Sequence, residues 1–214
     1  MTAQDAGPIT QWLAAGGRIV VLPGWRNSGP SHWQSRWQAR YPGFERVEQR
    51  DWEYPVAGPW THALQRTLAQ RDGPVIVIAH SLGCITLAHW AALYGRNGTR
   101  VAGALLVAPA DVRRPFVPAQ FTGFVPLPLA PLPFPSLVIA SDNDPTCHID
   151  HATAFAQAWG ARQVTLAGAG HINVDSGHGN WPQGLRFLRQ LIQSARRGRL
   201  HRPRAAPALL GATA

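Results

Sequence analysis

The chain has 214 residues, of which 45% are hydrophobic, and this length predicts one domain with a substantial apolar core. Its formal net charge of +9 is carried by arginine alone, because the sequence contains no lysine. No apolar run reaches the length of a transmembrane helix, and residues 1–17 lack the basic and apolar regions of a secretory signal, so we expect no membrane insertion and a cytoplasmic location.

The first predicted strand runs from Ile19 to Leu22 and ends in a glycine turn, at Gly24, before Trp25. This turn is either a plain β-turn or a place where glycine lets the backbone pass close to a neighbouring strand end. A helix is predicted next, because Ser31 and Gln34 have the spacing of a capping box with Ser31 as the N-cap.

The most informative segment is a strand, a tight turn and a helix around Ser81. Four β-branched residues at 75–78 form the apolar run of a buried parallel strand, and a helical pattern begins near Cys84. Ala79 and Gly83 are small residues two positions before and two after Ser81, as a nucleophile elbow requires. Glycine is usual at both positions, and the methyl group of Ala79 is the smallest possible departure. The alternative is a serine that only caps the helix.

Three more strands are predicted downstream, at residues 101–107, 136–140 and 163–166. An elbow serine needs an acid and a base, which follow it in the order Asp or Glu, then His, on loops after later strands. Asp144 follows the second of these strands and His171 follows the third, at the carboxyl ends where open α/β sheets place their sites. The sequence therefore predicts Ser81 as nucleophile, His171 as base and Asp144 as orienting acid.

Other residues compete for the two partner roles. Asp111 follows the strand at 101–107 and Asp142 stands two residues before Asp144, but Pro145 fixes a turn that aims the carboxylate of Asp144 back over the strand ends. His178 is the main rival to His171 as the base. Four further histidines are predicted to be surface or helix residues: His32, His62, His89 and His201.

The remaining histidines are expected to serve neither as the base nor as metal ligands. His80 lies within the elbow, and its side chain is predicted to point away from that of Ser81. His148 and His151 have the spacing H-x-x-H, but no third ligand pattern accompanies them, so the sequence predicts a solvated helix start and no metal site. Because side chains and backbone groups suffice for acyl transfer on such a triad, we expect no cofactor.

An oxyanion hole is expected to combine the backbone N–H after the nucleophile with an N–H from the loop after an early strand. The first is the N–H of Leu82, and the Gly24 turn makes the N–H of Trp25 the second. Trp25 and Trp52 both lie on loops after strands, so their side chains are predicted to face the cleft and to contact substrate.

Two segments are rich in one residue type, the first in the middle of the chain and the second at its end. Residues 116–135 contain many prolines and are predicted to form an extended, stiff crossing in place of a helical lid, which either lines an acyl pocket or only covers the sheet. Residues 196–214 carry five of the 20 arginines and no acidic residue, which predicts a disordered tail after a domain at 1–195. Because aromatic residues are not interleaved with these arginines, we expect no nucleic-acid partner.

With these residues assembled, the chain resembles the small, lidless serine hydrolases of the α/β-hydrolase superfamily, and more narrowly the retinoblastoma-binding-protein-nine-like family. The resemblance extends from about residue 18 to 195. It is carried by five motifs: L-P-G-W-R-N-S-G-P-S-H-W-Q-S-R-W at 22–37, R-D-W-E-Y-P at 50–55, A-H-S-L-G at 79–83, S-D-N-D-P at 141–145 and G-H-I-N-V-D-S-G-H-G-N-W-P-Q-G at 170–184. It implies the same triad, on Ser81, Asp144 and His171.

Together these observations predict a three-layer α/β sandwich with a mostly parallel central sheet and no cap domain. They predict a carboxylesterase-like serine hydrolase that cleaves small ester or amide substrates through an acyl-enzyme. The alternative is a non-catalytic binding or interaction protein built on a hydrolase scaffold.

Overall fold

A computed structural model describes residues 7–95, 100–115 and 117–197. Six parallel strands form one sheet in the order β2-β1-β3-β4-β5-β6. The strands are β1 (Arg18–Leu22), β2 (Phe44–Arg46), β3 (Val75–His80), β4 (Val101–Val107), β5 (Ser136–Ser141) and β6 (Arg162–Leu166). The helices are α1 (Pro8–Ala14), α2 (Trp33–Arg40), α3 (Ala57–Ala69), α4 (Leu82–Tyr94), α5 (Ile149–Ala158) and α6 (Pro182–Arg196).

Helices cover both faces of the sheet, which makes three layers. The side chains of α3, α4 and α5 pack on one face, and those of α1, α2 and α6 pack on the other. Both faces of a central strand are therefore buried, and this explains why the predicted strand at 75–78 is apolar without alternation. The predicted α/β fold is confirmed, and the described residues include no cap domain.

The chain order reverses at β1, because the chain passes from β1 to the edge strand β2 and then returns to β3 on the other side. Open α/β sheets bind ligands at such a switch point, beyond the carboxyl ends of the strands. The loops that begin with Gly24 and Ser81 leave the sheet at this place. The topology thus brings the two predicted halves of the oxyanion hole to one edge.

The N-cap predicted for α2 is wrong by one residue. The helix begins at Trp33, and the imidazole of His32, not the hydroxyl of Ser31, accepts a hydrogen bond from the Gln34 N–H. The Gln34 side chain does not turn back to cap the helix, because its amide donates to the carbonyl of Ile78 and accepts from the hydroxyl of Ser28. The Gln34 side chain, which a capping box would use at the start of the helix, is therefore bonded to buried strand carbonyls instead.

The proline-rich connection forms no helix over its described residues, 117–135. Its apolar residues Phe124, Leu127, Leu132 and Phe134 are buried in the same core as α3 and α4. The Trp159 indole N–H donates to the Pro128 carbonyl, and the Leu132 N–H donates to the Trp159 carbonyl. The segment therefore covers one face of the molecule as an extended strap.

At the end of the described chain, α6 continues through Arg196, whose guanidinium donates to the side chain of Gln11. The apolar stripe of α6 packs on the sheet as its spacing predicts. Most of the predicted tail, residues 198–214, lies outside the described residues. Among the helices of the described segments, none has both the length and the apolarity that a membrane crossing requires.

Candidate active site

Ser81 occupies the turn between β3 and α4 in a strained backbone conformation. Its φ is 56° and its ψ is −123°, a combination that costs a non-glycine residue roughly 1–3 kcal/mol. The turn is tight enough to require glycine around it. A Cβ at Gly83 would lie 2.4 Å from the carbonyl oxygen of Leu22, and one at Gly24 would lie 2.8 Å from the Cβ of Ser81. Ala79 is fully buried inside β3, where its methyl group is accommodated.

The structure brings Ser81, His171 and Asp144 together in a line. The Nε2 of His171 lies 2.9 Å from the Oγ of Ser81, and the Nδ1 of His171 lies 2.9 Å from Oδ2 of Asp144. The Asp144 side chain is almost fully buried, whereas the His171 side chain is 14% exposed. An imidazole between a hydroxyl and a carboxylate can accept the hydroxyl proton at one nitrogen while the other stays hydrogen-bonded.

The loop that carries His171 is fastened to the loop that carries Asp144. The last residue of β5 and the two residues after it accept hydrogen bonds from three consecutive backbone N–H groups after β6. The pairs are Ser141 with Ala169 (3.0 Å), Asp142 with Gly168 (2.8 Å) and Asn143 with Gly170 (2.7 Å). The geometry between the acid and the base is therefore set by the S-D-N stretch that precedes Asp144.

Thr146 is a further residue of this site, and the sequence analysis missed it. Its N–H donates to Oδ1 of Asp144 at 2.7 Å, and its Oγ1 lies 3.0 Å from Nδ1 of His171. Oδ1 of Asp144 therefore accepts from Thr146 and also lies 3.1 Å from Nδ1 of His171, while Oδ2 lies 2.9 Å from the same nitrogen. An Asx turn is a signal that D-P-T could have provided, because a carboxylate often accepts the N–H two residues later.

Neither rival acid contacts His171. Asp111 is buried and pairs with Nδ1 of His151 at 2.7 Å and with the guanidinium of Arg113 at 3.2 Å. Burial raises the pKa of the Asp111 carboxyl, but the hydrogen bonds from Arg113 and His151 outweigh it and hold the pKa below its usual value. Asp142 accepts the Gly168 N–H, as described above, and so contributes to the loop. The rival base His178 lies beside the hydroxyl of Ser176 and the ring of Trp181.

The expectation that His32 is a surface or helix residue is wrong. The residue is 6% exposed, and its ring packs against the rings of Trp33 and His80. Burial, together with the positive charges of Arg46 and of His171 when protonated, lowers the pKa of His32 to about 3. The neighbouring histidine, His80, is also buried, and its ring points to the main chain of His171, not to the Ser81 side chain.

The two predicted oxyanion donors lie beside Ser81. Leu82 is the first residue of α4, where a backbone N–H has no carbonyl one turn earlier in the helix. Trp25 follows Gly24, whose backbone packs against Ser81 as shown above. Over the residues that the structure describes, neither N–H donates to a main-chain carbonyl in a turn or loop. The N–H of Leu82, directly after Ser81, and the N–H of Trp25, directly after Gly24, therefore have no main-chain acceptor of this kind within the described part of the chain.

Hydrogen bonds join the loops that carry Trp25 and Trp52. The Trp25 indole donates to the carbonyl of Glu53 at 3.0 Å, and the Arg26 N–H donates to the carbonyl of Trp52 at 3.1 Å. The ring of Phe121 from the proline-rich strap meets the Trp25 ring edge-on, with centroids 5.3 Å apart. The strap therefore reaches the loop beside Ser81, in addition to covering the core.

The two histidines of the H-x-x-H spacing, His148 and His151, make contacts within the protein. His148 is the N-cap of α5 and accepts the Asp150 N–H, while His151 pairs with Asp111. Within residues 7–95, 100–115 and 117–197, no group of three or more His, Cys, Asp or Glu side chains is arranged to hold a metal ion.

Comparison with known proteins identifies the family of the chain. The sequence matches the family described as "Serine hydrolase" over residues 19–190. The chain belongs to this family. Its structure is similar to that of a YdeN-like hydrolase from Pectobacterium atrosepticum, with 34% identity and a TM-score of 0.76 over 88% of this chain and 96% of that one. No curated protein sequence matches significantly.

More distant structures share the fold. The ydeN gene product of B. subtilis has 18% identity and a TM-score of 0.67, over 83% of this chain and 99% of that one. The esterase RhEst1 from Rhodococcus sp. has 16% identity and a TM-score of 0.62, over 85% of this chain and 92% of that one. Family and fold together identify the protein as a hydrolase.

Proposed function

We propose that this hydrolase cleaves small ester substrates through an acyl-enzyme, with Ser81 as nucleophile, His171 as general base and Asp144 as orienting acid. The observation that carries the proposal is the pair of 2.9 Å contacts that His171 makes with Ser81 and Asp144. The strained backbone of Ser81 supports the nucleophile role, because strain of this kind concentrates at functional sites.

The reaction follows from these contacts. Ser81 Oγ bonds to the acyl carbon while its proton passes to Nε2 of His171, and Asp144 stabilises the imidazolium that forms. The N–H groups of Trp25 and Leu82 receive the negative charge that develops on the carbonyl oxygen. As the ester C–O bond breaks, Nε2 returns its proton to the departing alcohol. A water molecule then repeats the sequence and releases the acid.

The proposed substrate class is argued from the loops that carry Trp25 and Trp52. We propose that the rings of Trp25 and Trp52 contact the substrate and that the site accepts short acyl groups. The Trp25 ring is already occupied on one side by Arg26, 4.3 Å from its centroid, and on another by Phe121. These contacts support a shallow site. An amide substrate would use the same groups.

The proposal is tested by labelling the purified protein with a fluorophosphonate probe and mapping the modified residue. We expect one label, on Ser81, and neither label nor p-nitrophenyl acetate hydrolysis in Ser81→Ala. Ser136→Ala is the matched control, since this buried serine starts β5 at the opposite end of the sheet. A folded wild-type protein without label or turnover would favour the binding-protein alternative.

Two finer assignments belong to the same proposal. The five motifs in the sequence support membership of the retinoblastoma-binding-protein-nine-like group. Cys84 and Cys147, both buried and free, support a reducing, cytoplasmic location.

A further inference from the structure

A buried imidazole joins the backbone of His171 to the strand that carries Ser81. His80 is the last residue of β3, immediately before Ser81, and is 5% exposed. Its Nε2 lies 3.0 Å from the main-chain oxygen of His171. Because a carbonyl oxygen only accepts hydrogen bonds, Nε2 of His80 carries the proton and donates it.

The other hydrogen bonds of the loop that carries His171 do not set the distance between His171 and Ser81. The backbone N–H groups of residues 168–170 donate to side chains of residues 141–143, on the loop that carries Asp144. These bonds fix His171 relative to Asp144. On the other side of the loop, the Trp33 indole holds the carbonyl of Ile172 at 2.9 Å. The His80 bond is the contact that links the base to the residue next to the nucleophile.

We propose that His80 is a positioning residue whose Nε2–H bond to the His171 carbonyl sets the distance between His171 Nε2 and Ser81 Oγ. The proposal rests on the proposed function, in which proton transfer crosses that distance. His80 and Ser81 are joined by a peptide bond. The hydrogen bond from His80 therefore fixes the backbone of the base, His171, relative to the residue next to the nucleophile. A misplacement of about 1 Å between reacting groups can cost on the order of 10²-fold in rate.

Histidine suits this position because it donates without carrying a charge. The rings of His80 and His171 lie 4.9 Å apart, and His171 becomes an imidazolium during acylation. A lysine or arginine donor there would oppose that charge. His32 also packs against His80, with ring centroids 4.8 Å apart. Burial, followed by the charges of protonated His32 and His171, lowers the pKa of His80 well below its usual value, so His80 stays neutral.

Three variants separate the hydrogen bond from the bulk of the side chain. His80→Leu removes the donor, His80→Asn keeps a donor on a side chain too short to reach, and His80→Gln extends an amide N–H to about the reach of Nε2. We expect kcat to fall about 10- to 100-fold in His80→Leu and His80→Asn, with KM near wild type, and to recover most of the way in His80→Gln. If His80→Leu does not fold, the comparison of Asn with Gln decides.

The matched control is His89→Leu. His89 is half-buried on α4, and its Nε2 lies 3.1 Å from the carbonyl of Phe124, so the substitution removes the same kind of bond elsewhere. We expect its kcat to stay near wild type. Wild-type kcat in folded His80→Leu and His80→Asn, or equal losses in His80→Asn and His80→Gln, would overturn the proposal.

A crystal structure of His80→Leu provides a readout that is independent of activity. We expect the separation of His171 Nε2 and Ser81 Oγ to exceed hydrogen-bonding distance while Nδ1 stays bonded to Asp144. Unchanged geometry at both contacts would overturn the proposal. Full activity of Ser81→Ala would instead refute the proposed function. The comparison of the His80→Leu and wild-type structures would still show whether His80 sets the distance between His171 and Ser81.

Discussion

The clearest prediction from the geometry concerns the identity of the acid, and Asp144→Asn tests it. The Thr146 N–H donates to Oδ1 of Asp144, so an asparagine at this position would place its carbonyl oxygen there. Its NH₂ group would then occupy the site of Oδ2, 2.9 Å from Nδ1 of His171, and its oxygen the site of Oδ1, 3.1 Å from the same nitrogen. The nearer of the two groups is then the NH₂, which donates, so the tautomer in which Nδ1 accepts and Nε2 carries the proton is favoured. In that tautomer Nε2 can no longer accept the proton of Ser81.

The expected loss follows from this change of tautomer. Replacing a triad acid by asparagine costs about 10⁴-fold in kcat, which corresponds to roughly 5.4 kcal/mol of transition-state stabilisation. Asp111→Asn should lose little, because Asp111 pairs with Arg113 and His151 and makes no contact with His171. Asp142→Asn should also lose little, since an amide oxygen can still accept the Gly168 N–H.

The assay is p-nitrophenyl acetate hydrolysis by the three asparagine variants at equal concentration, with circular dichroism to confirm folding. An Asp144→Asn protein within tenfold of wild-type kcat would refute the tautomer argument, and the more so if Asp111→Asn were the damaged variant.

Three further predictions follow from other parts of the molecule. Stability should fall as the pH drops from about 6.5 towards 3, because the unfolded chain protonates His32 in this range while the folded protein, with a His32 pKa of about 3, does not. The free energy of unfolding changes by about 1.4 kcal/mol per pH unit for each such histidine. Urea unfolding of His32→Asn should therefore depend less on pH than that of wild type. Equal pH dependence of the two proteins would count against the prediction. Removing residues 198–214 should leave Tm and esterase activity unchanged, since the family match ends at residue 190 and α6 ends at Arg196; a large fall in Tm would show that the tail packs on the domain. Activity on p-nitrophenyl esters of two to twelve carbons should decline as the acyl chain lengthens, whereas a deep apolar slot would gain about fourfold per methylene at about 0.8 kcal/mol each.

The sequence predicted five of the six strands, and β1, β3 and β4 were clearest because their apolar runs record burial on both faces of the sheet. The short edge strand β2 was not predicted. The run at 101–107 matches β4 at both ends, and β3 contains the run at 75–78. The elements around Ser81 follow from a local pattern too, since the strand, the small residues Ala79 and Gly83 and the helix stand next to one another in the chain. Patterns of this kind depend on neighbours in the chain or on simple burial.

The partners of polar side chains were harder to predict, because they depend on residues distant in sequence. The Gln34 amide bonds to Ile78, 44 residues away, and this contact removed it from the predicted capping box. His32, at the start of α2, packs against His80. No local sequence pattern around either histidine indicates this contact. Thr146 was missed for the same reason, since its hydroxyl meets His171 only after β5 and β6 pair.

The central claim is that Ser81 becomes acylated, and trapping that intermediate tests it most directly. The protein is mixed with p-nitrophenyl acetate, quenched with acid while the ester is still in excess, and digested for mass spectrometry of the peptide that contains Ser81. We expect the mass of one acetyl group on Ser81 in wild type and an unmodified peptide in Ser81→Ala. Acetylation confined to another residue, with turnover that persists in Ser81→Ala, would contradict the account.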